Sequence, residues 1–344
     1  MSQKMSKRIT LLGLLMTASI VAYHCGGAAY DISFYPGRFN VFMSQCFESL
    51  AIFAMSYFFM TTGFLLFYKL NKDTYRRKIV KRVSTLLIPY ICWQVLTIIY
   101  FSLHGAHWDI NALISTIFLF DCWPPDGALW YIYAVFFLAI FLTPILLTIF
   151  KNKKMGYLFV ISFSILLLTF DFIRPSFLSH GYIPNLYTYL PSYLFGSFFG
   201  FFCPEEERGR DHLPYFVWPA FLVIFLNNKW DYILLNYILR ILPVFLLYYL
   251  PIPSVLLDKE STVTKIALHL SNVSFLVYAL HQPLMGKFIS FAVPIFDQIP
   301  IAIVGNLLIR ISCVLYFVLL ALLIHLIMKM FAPKLLQALT GGRS

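Results

Sequence analysis

The sequence predicts an all-α protein, a polytopic membrane helix bundle of about 10 transmembrane helices with N and C termini cytoplasmic. Three observations predict it. Apolar runs of about 20 residues, long enough for a hydrocarbon core of about 30 Å, recur along all 344 residues. The chain is 60% hydrophobic and only 12% charged, against about 25% charged in soluble domains. Its Lys and Arg gather in short segments that fall on one side of the alternating spans, as the positive-inside bias requires. The runs are continuous rather than alternating, which selects helices over a closed barrel, the two structures that satisfy their backbone groups in lipid. No polar stretch is long enough to form a core of its own, so residues 1–344 read as one membrane domain with no soluble domain.

The first span, from about Ile9 to Ala28, contains LLGLLMTASIVAYHCGG and follows Lys4, Lys7 and Arg8. It runs through His24-Cys25-Gly26-Gly27 without an A-x-A pattern, so it reads as a retained helix rather than a removed signal peptide. The second span covers about Gln45 to Tyr68. The inner loop KLNKDTYRRKIVKR then sets Lys69, Lys72, Arg76, Arg77, Lys78, Lys81 and Arg82 against a single acid, Asp73. The third span is about Val83 to Leu103. In the outer segment His104 to Ala128, NALISTIFLF is too short to cross and lies in the interface or re-enters. The fourth span, Leu129 to Phe150, ends at inner Lys151, Lys153 and Lys154. The fifth runs to Arg174 and the sixth from about Tyr187 to Cys203. The seventh, Leu213 to Leu226, is short; the eighth is Tyr232 to Leu250. The ninth ends near Phe291, and the tenth covers about Ile301 to Phe331 before Lys334 and Arg343. No internal repeat is visible, which argues against repeat-built transporter folds.

The net charge of +11 marks cytoplasmic loops rather than a nucleic-acid surface. The six cysteines show no CxxC or other metal spacing, so no metal site is expected. Cys92, Cys203 and Cys313 read as packing residues. Cys25 and Cys46 fall near the same membrane face, where a disulfide is open to them.

Ionisable residues at membrane depth are expensive and point to function or to structural pairing. His24 lies about 24 Å beyond Arg8 at a rise of about 1.5 Å per residue. By the same measure Glu48, Asp171, Arg174 and His281 share the outer third of the membrane with it, whereas Arg240 and Arg310 lie near the midplane. Each has a plain alternative. His24 can bond another helix, Asp171 and Arg174 can pair at i, i+3, and Arg240 and Arg310 can brace helices against carbonyls. Their convergence at one depth favours a polar cavity. Imidazole titrates near working pH and a carboxylate fixes its tautomer, so His24 with Glu48 suits general base chemistry. Cys25, next to His24, does not share its face.

Five pieces in order resemble the acyltransferase-3 family of integral membrane acyltransferases, over nearly the whole chain. IVAYH with His24 is similar to that family's first-span histidine. FFMTTGFLLF around Gly63 resembles its small-residue–Gly–Phe signature. KRVSTLLIPY, with Arg82 and Pro89, is similar to its basic loop and Pro-started span. GALWYIYAVFFLAIFLTPIL, with Trp130 and Pro144, resembles its Leu-Trp-aromatic helix, and SFLVYALHQPL, with Tyr278, His281 and Pro283, its Tyr-x-x-His-x-Pro motif. Two positions depart. Gly13 stands where many members carry Arg or Lys, and Ala128 where many have His before Leu-Trp.

The resemblance implies an acetyl-CoA-dependent O-acetyltransferase of the inner (plasma) membrane, acting on a bacterial surface polysaccharide or its lipid-linked precursor. Acetyl-CoA is a co-substrate, with no cofactor permanently bound. On this expectation His24 is the base, oriented by Glu48, and His281 or an Arg stabilises the oxyanion. The CoA phosphates would meet Arg76, Arg77, Lys81 and Arg82, a role that competes with their simple use as a topology signal, and Arg240 and Arg310 lie deeper along the donor's path. Trp123, Trp130, Asp171 and Arg174 are expected near the sugar, although aromatic residues also form the interfacial belt. With no further domain after the tenth span, transfer is expected to be completed within the bundle. A transporter or flippase for a glycolipid or small solute is the alternative; it would need no thioester.

Overall fold

The computed structural model describes residues 3–26, 38–117, 124–173, 186–202, 233–243 and 261–342. Among them every regular element is helical: α1 (Gln3–His24), α2 (Arg38–Phe67), α3 (Lys72–Arg82), α4 (Ile88–Leu103), α5 (Ile110–Ile117), α6 (Trp130–Ile149), α7 (Lys153–Ile173), α8 (Leu186–Phe202), α9 (Ile233–Ile241), α10 (Thr262–Phe296), α11 (Ala302–Phe331) and α12 (Pro333–Thr340). Among the described residues, six stretches are long and apolar enough to cross a membrane: Met5–His24, Met43–Phe67, Asp73–Leu103, Gly127–Ile149, Lys153–Phe170 and Ile303–Phe331. α10, with 35 residues, has ample length, but Asn272, His281, Gln282 and Lys287 interrupt its apolar run. The expected seventh span, Leu213 to Leu226, and most of the eighth lie outside the described residues. Leu315, Leu319, Leu323 and Ile327 stripe one side of α11 with exposed apolar surface, a pattern suited to lipid rather than water.

The chain divides into two compact units, residues 1–58 with 205–324 and residues 59–204 with 325–344, the divisions falling inside α2 and α11. In the first, α1 packs along α10. The Tyr57 hydroxyl of α2 donates to the Ile9 carbonyl at 2.8 Å, which ties down the start of the apolar part of α1. The helix begins at Gln3, earlier than the apolar run predicts, and Lys7 and Arg8 are buried.

In the second unit, α2 and α8 approach through small residues. A Cβ on Gly196 would sit 2.0 Å from the Met60 carbonyl oxygen, one on Gly200 2.4 Å from that of Phe64, and one on Gly63 2.5 Å from that of Tyr193. Gly196 and Gly200 form the small-xxx-small spacing that lets helix backbones touch, where packing rather than the hydrophobic effect drives association in lipid.

The basic stretch expected as an inner loop is a helix, α3. Asn71 caps it by accepting from the Thr74 N–H at 2.8 Å, while the Thr74 hydroxyl oxygen accepts from the Asn71 N–H at 2.9 Å, the reciprocal pattern of a capping box. α3 runs directly into a π turn, Val83–Leu87, and then α4. Pro89, in the first turn of α4, supplies the cause. It has no N–H for the Thr85 carbonyl and its ring crowds that carbonyl, so the coil widens and the Ile88 N–H reaches back to Val83. α12 docks on the same region. The Trp93 indole N–H donates to Leu339 O at 3.0 Å, and Gly341, at φ +63°, lies so close to Thr85 that a Cβ there would be 2.5 Å from its carbonyl oxygen.

Candidate active site

The last turn of α1 carries His24 and faces α10. His24 and His281 have ring centroids 5.2 Å apart at 43°, so two residues remote in sequence meet in the first unit. His281 is fully buried and its Nδ1 is 2.6 Å from the Tyr278 carbonyl oxygen. A carbonyl only accepts, so Nδ1 carries the proton and neutral His281 presents a bare lone pair at Nε2. That Nε2 is buried with no hydrogen-bond partner among the described residues. His24 is half-buried, with Tyr23 edge-on to it at 5.1 Å. Tyr278 stands 5.7 Å from the His281 ring and Phe317 6.4 Å on another side. The arrangement is two imidazoles in a mostly apolar wall, able to share or pass one proton.

Glu48, expected to orient His24, is exposed on α2, and its charge is felt at Tyr23. Cys25 turns from His24 toward α11, where its thiol lies 3.8 Å from the Ile309 carbonyl oxygen and beside Cys313. Cys25 and Cys46 are both free thiols, so the disulfide left open by the sequence is not formed.

Arg310 is 2% exposed. Its Nη1 donates to Ala22 O at 2.5 Å, its Nε to Asn306 Oδ1 at 2.7 Å, and its guanidinium covers the Phe47 ring at 4.3 Å. This is the carbonyl brace that the sequence left open as one of its two roles. Arg240 is half-buried on α9.

The second unit sorts the basic cluster. Lys78 turns inward and donates to Leu66 O at 2.8 Å and Tyr68 O at 2.5 Å, capping the last carbonyls of α2. Arg82 donates to Thr62 O at 3.3 Å, and the Thr62 hydroxyl is 2.7 Å from that of Tyr131. Arg76, Arg77 and Lys81 are exposed. Trp130 is buried, 5.8 Å from the Phe59 ring and 6.0 Å from Tyr189. Asp171 lies on α7, while Trp123 and Arg174 lie outside the described residues.

Four participants had escaped the sequence reading. Asn306 precedes Arg310 by one helical turn, a polar i, i+4 pair that was there to be noticed. Gly26 lies against Arg310. Gln94 and Asp126 form a buried pair, the Gln94 side-chain oxygen accepting from the Asp126 N–H at 2.9 Å. Asp126 Oδ1 accepts from the Ala128 N–H at 3.2 Å. Complete burial raises its carboxyl well above the usual carboxylate range, with the Ala128 bond pulling the other way.

Residues 10–326 match the family model described as an acyltransferase domain. No curated protein and no solved structure gives a significant match.

Proposed function

The chain belongs to the acyltransferase-3 family, and from that premise we propose that it is an inner-membrane O-acetyltransferase. It moves an acetyl group from cytoplasmic acetyl-CoA to a sugar hydroxyl of a bacterial surface polysaccharide or its lipid-linked precursor. In this reading the chain crosses the membrane about ten times with both termini cytoplasmic. The observation that carries the chemistry is the His24–His281 pair, centroids 5.2 Å apart.

His24 is the general base. As the sugar oxygen attacks the thioester carbonyl, His24 takes its proton; collapse of the tetrahedral intermediate breaks the C–S bond, and the proton passes to the departing sulfur to give free CoA. General base assistance of this kind contributes about 10²–10⁴-fold. His281 serves His24. With Nδ1–H committed to Tyr278 O, its Nε2, without a hydrogen-bond partner among the described residues, offers a lone pair beside the His24 ring that takes up a proton passed on by His24, while the orienting of His24 stays with Glu48. Neutral His281 has no N–H at Nε2, so it meets the oxyanion only once that nitrogen is protonated, and an Arg is the other donor for it. Arg76, Arg77 and Lys81, exposed on α3, take the CoA phosphates together with Arg82, which spends one of its five N–H donors on Thr62 O, whereas Lys78 is occupied by the Leu66 and Tyr68 carbonyls.

The test supplies membranes with radiolabelled acetyl-CoA and follows label into lipid-linked or surface polysaccharide, comparing the normal protein with His24→Ala at equal abundance. Label with the normal protein alone is the expected result. Equal labelling by both removes His24 from the mechanism. No label with either, together with transport of unmodified glycolipid, replaces the transferase by a flippase.

A further inference from the structure

We propose that Arg310 is a positioning residue for His24: it clamps the last turn of α1 to α11, and Gly26 is the fitted space that lets it do so. The inference rests on the reading of His24 as the base, but the clamp itself rests on geometry alone.

The end of α1 is built to receive it. The Gly26 N–H turns back to Tyr23 O at 3.0 Å rather than to Ala22 O, tightening the last turn. That frees the Ala22 carbonyl, and Arg310 Nη1 donates to it at 2.5 Å. Residues 22, 25 and 26 share one face at i, i+3 and i+4, and all three meet α11. Ala22 takes the guanidinium, Cys25 meets the Ile309 carbonyl at 3.8 Å, and Gly26 lies flat against the Arg310 head. A Cβ on Gly26 would fall 1.9 Å from Nη2 and 2.3 Å from Cζ, so any side chain there expels the guanidinium. Asn306 Oδ1 fixes Nε at 2.7 Å and the Phe47 ring covers the head at 4.3 Å, which leaves the arginine one orientation. His24 lies off this face, toward α10 and His281. The clamp therefore sets the rotation and height of the turn from which His24 reaches His281. Lysine does not substitute: it cannot bond Ala22 and Asn306 with a rigid fork.

The readout is independent of transfer. Diethyl pyrocarbonate acylates neutral imidazoles, and the rate at His24 across a range of pH, mapped by mass spectrometry in the purified full-length protein, reports that residue's surroundings. Exposed His104 and His107 are internal controls. Arg310→Lys and Gly26→Ala should each change the His24 rate profile several-fold and leave His104 and His107 alone. The shorter lysine head vacates the space that an alanine at 26 needs, so the double variant should lie nearer to Arg310→Lys than the product of the single effects. In the acetyl-transfer assay both single variants should lose about tenfold or more in kcat, with KM for acetyl-CoA unchanged. An unchanged His24 profile in all variants overturns the clamp, as does strict multiplicativity. A raised KM for acetyl-CoA with intact kcat overturns it in favour of a donor-binding arginine. If the normal protein transfers no acetyl group, the proposed reaction fails, and the modification profile still decides the clamp.

Discussion

His281 Nδ1 lies 2.6 Å from the Tyr278 carbonyl oxygen, one turn back on the same helix. That bond fixes which nitrogen of a fully buried imidazole is free. Replacing His281 by Leu removes the lone pair and should lower kcat by about 10²–10⁴-fold. His281→Gln retains an acceptor and should lose less. Single-turnover acetyl transfer, with protein amounts matched by blotting, separates the two; equal losses would mean that His281 only fills space.

Gly196→Ala drives a methyl into the Met60 backbone, where the built Cβ is 2.0 Å from a carbonyl oxygen. Neither α2 nor α8 can yield locally, so the helices must part, at a cost of about 1–3 kcal/mol. A lowered melting temperature in detergent is expected. Gly13→Ala is the control, since a Cβ there meets nothing within 4 Å.

Asp126 predicts a pH dependence. Its folded-state pKa is raised above the ordinary 3.8 by burial, so the folded chain binds this proton more tightly than the unfolded chain does. The stability this contributes is complete below the unfolded value and is lost as pH rises through the folded one. Asp126→Asn keeps an acceptor for the Ala128 N–H and cannot ionise. It should flatten the fall in melting temperature toward alkaline pH and equal or exceed the native protein there. A native profile that rises with pH would contradict the assignment.

The basic residues of α3 should separate by role. Arg76→Ala with Arg77→Ala should raise KM for acetyl-CoA, more so at low salt, because exposed charge contacts are screened. Lys78→Ala should instead lower the melting temperature, because it uncaps the Leu66 and Tyr68 carbonyls. Titrating acetyl-CoA at two salt concentrations beside a thermal melt distinguishes them.

Depth made the His24–His281 pair legible. A polar residue in an apolar run is conspicuous, and counting residues from the basic loops placed both near one membrane face. Arg310 was visible as a charge at depth, but choosing between ligand and brace required knowing that Gly26 leaves Ala22 O unbonded, which only the folded turn reveals. α3 was misread because its Lys and Arg mask any apolar period; the signal present was Asn71 followed three residues later by Thr74. Asp126 was invisible for another reason. In Pro-Pro-Asp-Gly an aspartate looks like an exposed turn residue, and only the packing of Gln94 and Leu129 around it makes it buried.

The π turn at Val83–Leu87 also has an angular consequence. Each residue of an α-helix turns the axis by about 100°, and the wider coil holds one residue more than an α-helical path would. Arg82 and Trp93 are therefore out of phase with a straight helix: one faces Thr62 of α2, the other Leu339 of α12. Deleting a single residue between them would restore regular winding and rotate one partner away. This segment should tolerate substitution far better than any change in its length.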